Sequence, residues 1–191
     1  MSGAIPPDVG DLAIREETAD DAPHVRAVHA TAFGDDRVPR LVAAIHAAPA
    51  PLKPRGFVAT LGGVIVGEVL ISAARLDAPR RLVDVATLSP LGVLPQHQRR
   101  GIGTLLLAEA MRQADDSGVP LLFLEGDPSY YGPRGFVPAG PLGIRKPSLR
   151  IPDAAFQVVR LRAYEPWMTG TLVYSEPFWA HDCVGLREAH D

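Results

Sequence analysis

Cysteine is nearly missing: Cys183 is the only one in 191 residues, so no internal disulfide can form. No CxxC or Cys/His spacing outlines a structural zinc site. A reducing compartment fits this usage, and a cytoplasmic protein is expected. Lysine is scarce too, since Lys53 and Lys146 are the only lysines among 19 basic residues; this arginine bias is read as genome composition. There is no excess of positive charge. A net charge of -3 and a pI near 6.1 lack the basic footprint of a nucleic-acid or anionic-membrane binder, so any anion site must be local. No uncharged apolar run approaches the roughly 20 residues that cross a bilayer. Between Met1 and Asp11, Pro6, Pro7 and acidic residues stand where a secretory signal would place basic and apolar ones.

With 47% hydrophobic and 21% charged residues, the chain has the composition of a globular domain. Residues 1–10 read as a loose leader and 11–191 as one domain. Leu12 to Arg15 forms a strand; Thr18 caps a helix carrying Val25, Val28, Ala32 and Phe33, which Gly34 stops. A second helix over 36–48 places Val38, Leu41, Val42 and Ile45 on one face. Gly62-Gly63 turns a hairpin between Gly56–Leu61 and Val64–Ile71. A strand over 82–93 follows. The next helix offers Ile102, Leu105, Leu106, Ala110 and Met111 to a core, and Pro120 to Leu124 reads as a buried strand. Later segments, 155–162 and 171–174, are strand candidates.

The stretch Leu91-Gly-Val-Leu-Pro-Gln-His-Gln-Arg-Arg-Gly-Ile-Gly-Thr104 runs from a strand through a basic, glycine-containing turn into a helix. At a helix start the first amides lack carbonyl partners and the dipole end is positive, so a phosphate gains hydrogen bonds and a favourable field. Gly101 and Gly103 permit close approach of a ligand to the backbone, while Arg99 and Arg100 add local charge. The pattern contains neither the third glycine of GxGxxG nor the Lys-Ser/Thr pair of a Walker loop.

Gln98-x-x-Gly101-x-Gly103, after a strand and opening a helix, resembles the acetyl-coenzyme A signature of the GNAT family (GCN5-related N-acetyltransferases). Gly126-Asp-Pro-Ser-Tyr-Tyr-Gly-Pro-Arg-Gly-Phe136 is similar to the next motif of its YhbS-like branch. The resemblance implies an α/β fold: a central mixed β-sheet flanked by helices and splayed at its fourth and fifth strands. It also implies N-acetyl transfer from acetyl-CoA to an amine acceptor, without metal. By the same resemblance, the main chain of Leu91, Gly92 and Val93 should pair with the pantetheine arm. Gln98, Arg99, Arg100, Gly101, Ile102, Gly103 and Thr104 should hold the pyrophosphate. A homodimer is compatible with this fold.

Tyr131 matches the family's tyrosine in the spacing Tyr-x-x-x-Gly-Phe and would hydrogen-bond or protonate the departing thiolate; packing in the core is its alternative role. The general base stays open. Ala86-Thr-Leu-Ser89 contains no carboxylate, which leaves Asp84, Glu125 and Asp127. Glu125 is preferred because strand ends at the split should point toward the thioester. Phe33 and Arg145 are the expected acceptor-binding residues, on the Phe33–Arg37 turn and the Leu142–Pro152 connection, and Arg145 suggests an anionic acceptor. No Gly-x-Ser-x-Gly elbow is present, and the histidines show no metal-ligand spacing. A coenzyme A-binding module without turnover is the competing expectation.

Overall fold

The computed structural model describes residues 11–187; the leader expected over residues 1–10 lies outside them. Nine strands form one sheet: β1 (Leu12–Glu16), β2 (Arg55–Leu61), β3 (Val64–Asp77), β4 (Leu82–Val93), β5 (Leu121–Glu125), β6 (Val137–Pro138), β7 (Ile144–Arg145), β8 (Phe156–Arg160) and β9 (Gly170–Tyr174). Their order is β1-β2-β3-β4-β5-β8-β6, with β9 on β3 and β7 on β9. The β4–β5 and β7–β9 pairs are parallel and the others antiparallel, so the sheet is mixed, as expected.

Two apolar layers enclose it. On one face lie α1 (Ala22–Phe33) and α2 (Arg37–Ala47), which bury Val25, Val28, Leu41, Val42 and Ile45 with Leu70, Val85 and Phe123. On the other, α3 (Ile102–Asp116) buries Ile102, Leu106, Leu107 and Ala110 with Phe57, Val69 and Leu122. The stripe of α3 differs from the expected one at one position. Leu105 is exposed and Leu107 buried, because the fourfold rows through Ile102, Leu106 and Ala110 place Leu107, not Leu105, beside the sheet. Ahead of α1, Asp21 accepts hydrogen bonds from the Thr18 amide (2.8 Å) and hydroxyl (2.9 Å) and a two-pronged one from Arg15. Thr18 therefore caps a 3₁₀ turn over Ala19–Asp21 rather than α1 itself.

Sheet register positions the site. Along β3 and β4, Val69 pairs with Leu91 and Ile71 with Leu88, so Ser89 and Pro90 both face Leu70 and form a β-bulge. The parallel pairing of β4 with β5 is confined to Ala86–Leu122 and Thr87–Phe123. Beyond Thr87 the strands part. β5 continues to Glu125 along β8, and β4 continues to Val93 with a free edge on its β5 side among the described residues. After β5 come α4 (Pro128–Tyr131), a 3₁₀ turn over Gly132–Arg134, and finally α5 (Glu176–Ala180) beyond β9.

Candidate active site

The turn between β4 and α3 has the geometry of an anion cradle. Gly101 caps α3 in the left-handed region, at φ 84°, and Arg99 shares that region at φ 58°. Thr104 and Leu105 supply the first amides that reach an intrahelical carbonyl, both on Gly101, so the amides before them point out of the helix start. Gln98 donates from Nε2 to the Val93 carbonyl at 2.9 Å, closing the loop onto β4. Arg99 and Arg100 are exposed; Arg100 reaches His97 Nδ1 at 3.4 Å.

Behind the cradle stands the tyrosine pair. A Cβ on Gly103 would sit 2.7 Å from the Tyr130 hydroxyl, which explains why this position is glycine. Arg134 stacks 3.9 Å from the Tyr130 ring centroid, donates to the Tyr130 carbonyl, and donates from Nε and Nη2 to Thr104 Oγ1 at 3.1 and 2.9 Å. The Thr104 hydroxyl thus fastens α3 to the turn after α4. Tyr131 packs edge-on to Tyr130 and Phe136, with centroids 4.9 and 5.8 Å apart, and its ring lies on Gly126. Burial, aided by Tyr130, pushes its hydroxyl up to about 12, so it keeps its proton at any working pH.

Gly126 also lines a cavity of about 420 Å³, bordered by Phe33 and Arg37, by Thr87 and Ser89 at the split, by Glu125, and by Asp182, Cys183, Gly185 and Leu186. Glu125 Oε2 accepts the Gly185 amide at 2.9 Å. Burial raises the Glu125 carboxyl above its ordinary range, opposed by the Tyr174 hydroxyl and the Gly185 amide. Gly126 therefore touches the Tyr131 ring and lines the cavity that Glu125 also lines.

Most expected site residues converge on these two compartments. Leu91, Gly92 and Val93 lie on the free edge of β4, and Gln98 to Gly103 form the cradle. Phe33 and Glu125 border the cavity. Arg145 does not: β7 pairs with β9, and the Arg145 guanidinium donates to Thr171 Oγ1 at 3.0 Å. The cation at the cavity is Arg37. Sequence reasoning expected the Phe33–Arg37 turn at the groove without singling out the Arg37 cation, and missed the segment 182–186, whose one local signal is Gly185, at φ 62° and with no room for a Cβ beside Arg150. It also missed the fully buried His29–Glu68 pair, although a glutamate inside the apolar run of β3 was visible.

A model of the acetyltransferase (GNAT) domain matches residues 13–139, well over half the chain and all of the cradle and tyrosine pair. The chain belongs to the GNAT acetyltransferase family. Among similar curated proteins is the uncharacterised N-acetyltransferase YjhQ of Escherichia coli, 28% identical over 161 residues that span 82% of this chain and 88% of YjhQ. Among solved structures, the GNAT N-acetyltransferase YhbS of Escherichia coli in complex with CoA superimposes with a TM-score of 0.78 at 27% identity, covering 88% of this chain and 92% of that one. A GNAT acetyltransferase of Brucella melitensis in complex with acetyl-CoA gives 0.70 at 27% identity, covering 87% and 97%. The family and fold it shares are those of acyl-CoA-dependent acetyltransferases. No group of metal-ligating side chains, and no helix long and apolar enough to cross a membrane, is found among the described residues.

Proposed function

We propose that the protein transfers an acetyl group from acetyl-CoA to a primary amine on a small molecule or peptide, by direct attack of the amine on the thioester. The observation that carries this reading is the meeting at Gly126, which packs against the Tyr131 ring and lines the same cavity as Glu125. Bound acetyl-CoA supplies the activated acyl group. The residues present fit it: the α3 amides and Arg99 and Arg100 suit a pyrophosphate, the Gly101 turn leaves open space at the helix start, and the free edge of β4 at Leu91 and Val93 suits the amides of the pantetheine arm.

Glu125 accepts the proton of the attacking amine, because a carboxylate raised by burial is a stronger base than one in water. Tyr131 donates a hydrogen bond to the departing sulfur. Full transfer from a phenol held at about 12 to a thiolate near 8.5 is uphill by roughly 5 kcal/mol, so donation without complete transfer is its role. Arg37 at the cavity mouth favours an acceptor carrying an acidic group. The rival reading, a coenzyme A-binding module without turnover, draws on Ala86 to Ser89, which offers no carboxylate, and on the tie between Glu125 and Gly185.

Calorimetric titration with acetyl-CoA and CoA, followed by a thiol-release screen of acidic and neutral amines, tests both. Turnover that falls at least about 100-fold in Glu125→Gln, with acetyl-CoA affinity retained, supports the transferase. Binding without turnover for any amine supports the module. Failure to bind either ligand overturns both.

A further inference from the structure

Thr104 is the third residue of α3, and a helical Cβ leans toward the helix start. Its side chain therefore lies alongside the amides that the cradle leaves open. Arg134, 30 residues further along the chain, brings its guanidinium to that place: Nε and Nη2 both donate to Thr104 Oγ1, at 3.1 and 2.9 Å, while Nη1 donates to the Tyr130 carbonyl.

Every acceptor that Arg134 holds is neutral, and no carboxylate pairs with it among the described residues. Arg15, Arg26, Arg112 and Arg162, by contrast, each hold an aspartate or a glutamate. A half-buried cation set against the positive end of a helix dipole is unfavourable by itself, and an anion in the cradle offsets both charges at once.

The hydroxyl between them is constrained as well. A threonine oxygen offers two lone pairs and one hydrogen. Nε and Nη2 of Arg134 occupy the lone pairs, so Thr104 is left only a hydrogen to give, and that hydrogen has no acceptor among the described residues. Charge without a counter-charge and a donor without an acceptor meet at the start of α3.

We propose that Arg134 is a positioning residue for the acyl donor: by filling the lone pairs of Thr104 Oγ1, it makes that hydroxyl a dedicated hydrogen-bond donor to the pyrophosphate of CoA. This rests on the reading of the β4–α3 turn as the acyl-CoA site and involves nothing on the acceptor side.

Calorimetric titration of the full chain with CoA, dephospho-CoA and pantetheine tests the proposal. The first two share the pyrophosphate, and pantetheine carries no phosphate. Arg134→Met is expected to weaken CoA and dephospho-CoA by the same factor, about tenfold, as for the loss of one hydrogen bond to a charged group, and to leave pantetheine within about twofold. Thr104→Val should weaken CoA to a similar degree, and Thr104→Ser, which keeps the hydroxyl, should bind like the parent. With valine already at 104, removing Arg134 should cost about threefold or less, because no hydroxyl remains for it to set. If Arg134→Met does not fold, Arg134→Lys, which keeps the charge and loses the fork, takes its place and should show the same coupling to Thr104. Unchanged CoA affinity without Arg134, equal losses in the threonine and valine backgrounds, a loss confined to CoA and absent for dephospho-CoA, or a matching loss for pantetheine would each overturn the proposal. A parent chain that binds neither CoA nor dephospho-CoA refutes the acyl-CoA reading and this proposal with it, whereas a parent that binds CoA while Arg134→Met binds it equally well refutes the proposal alone.

Discussion

His29 Nε2 and Glu68 Oε2 lie 2.6 Å apart, and neither side chain exposes any surface to solvent. The pair ties α1 to β3 directly beside β4, since a Cβ on Gly92 would sit 2.7 Å from His29 Nδ1. Burial depresses the imidazole to about 4 and raises the carboxyl well above its ordinary value, so in the folded protein the pair holds a single proton.

This arrangement has a pH signature. Between the ordinary carboxyl and imidazole values, 4.5 and 6.5, the unfolded pair also binds one proton, and the pair adds no pH dependence. Above that window the unfolded chain releases its proton while the folded pair retains it, so stability falls with rising pH by up to about 1.4 kcal/mol per unit. Glu68→Gln keeps the hydrogen bond and removes the retained proton. Urea denaturation from pH 6.5 to 8.5 should show the variant gaining on the parent as pH rises; parallel curves would refute the shared proton. Glu68→Ala, by contrast, strands His29 and should cost about 3 kcal/mol or more at all these pH values.

At Gly126, any side chain meets the Tyr131 ring, 2.3 Å from Cε2 and 2.7 Å from Cδ2. Because Tyr130 and Phe136 box in that ring, it cannot move aside freely. Gly126→Ala is expected to lose about 1–3 kcal/mol of stability and most of the turnover. Denaturant unfolding and steady-state kinetics on the same preparation check this.

For Tyr131→Phe the ring and its packing remain. Unfolding free energy should shift by less than about 1 kcal/mol, acetyl-CoA affinity should hold within a few-fold, and kcat should fall about 100-fold. An unchanged kcat would make Tyr131 a packing residue only.

Thr104→Val preserves shape and removes the oxygen that receives Nε and Nη2 of Arg134. Leaving a half-buried guanidinium short of its acceptor should cost about 1–3 kcal/mol. Calorimetry should also show weaker acetyl-CoA binding, since Tyr130 loses the support that holds its hydroxyl at Gly103.

What could be read from the chain followed the distance over which each feature is encoded. The cradle is local: Gln98, Gly101 and Gly103 act through a turn and a helix start, so their spacing alone announces it. The Tyr131 segment is equally contiguous. The cavity at the split draws Arg37, Glu125 and Asp182 from distant stretches, and only the split of β4 from β5 and the return of β9 to β3 assemble them. Arg145 shows the same limit, because its connection does reach the cavity at Pro152, yet the pairing of β7 with β9 directs its guanidinium to Thr171. Glu68 was conspicuous in an apolar strand, but its partner lies 39 residues earlier on α1. Helix periodicity located the core face of α3 and misplaced Leu105, one position off the buried row.

The return of β9 to β3 also sets an order in time. On a growing chain, the anion cradle and its tyrosine support are encoded in full once Phe136 has been added, and they pack against strands already made. The wall at Asp182 to Leu186 must wait until β9 has paired with β3 and α5 has formed. A nascent or trimmed chain therefore completes the turn proposed for the acyl donor before it encloses the cavity proposed for the acceptor.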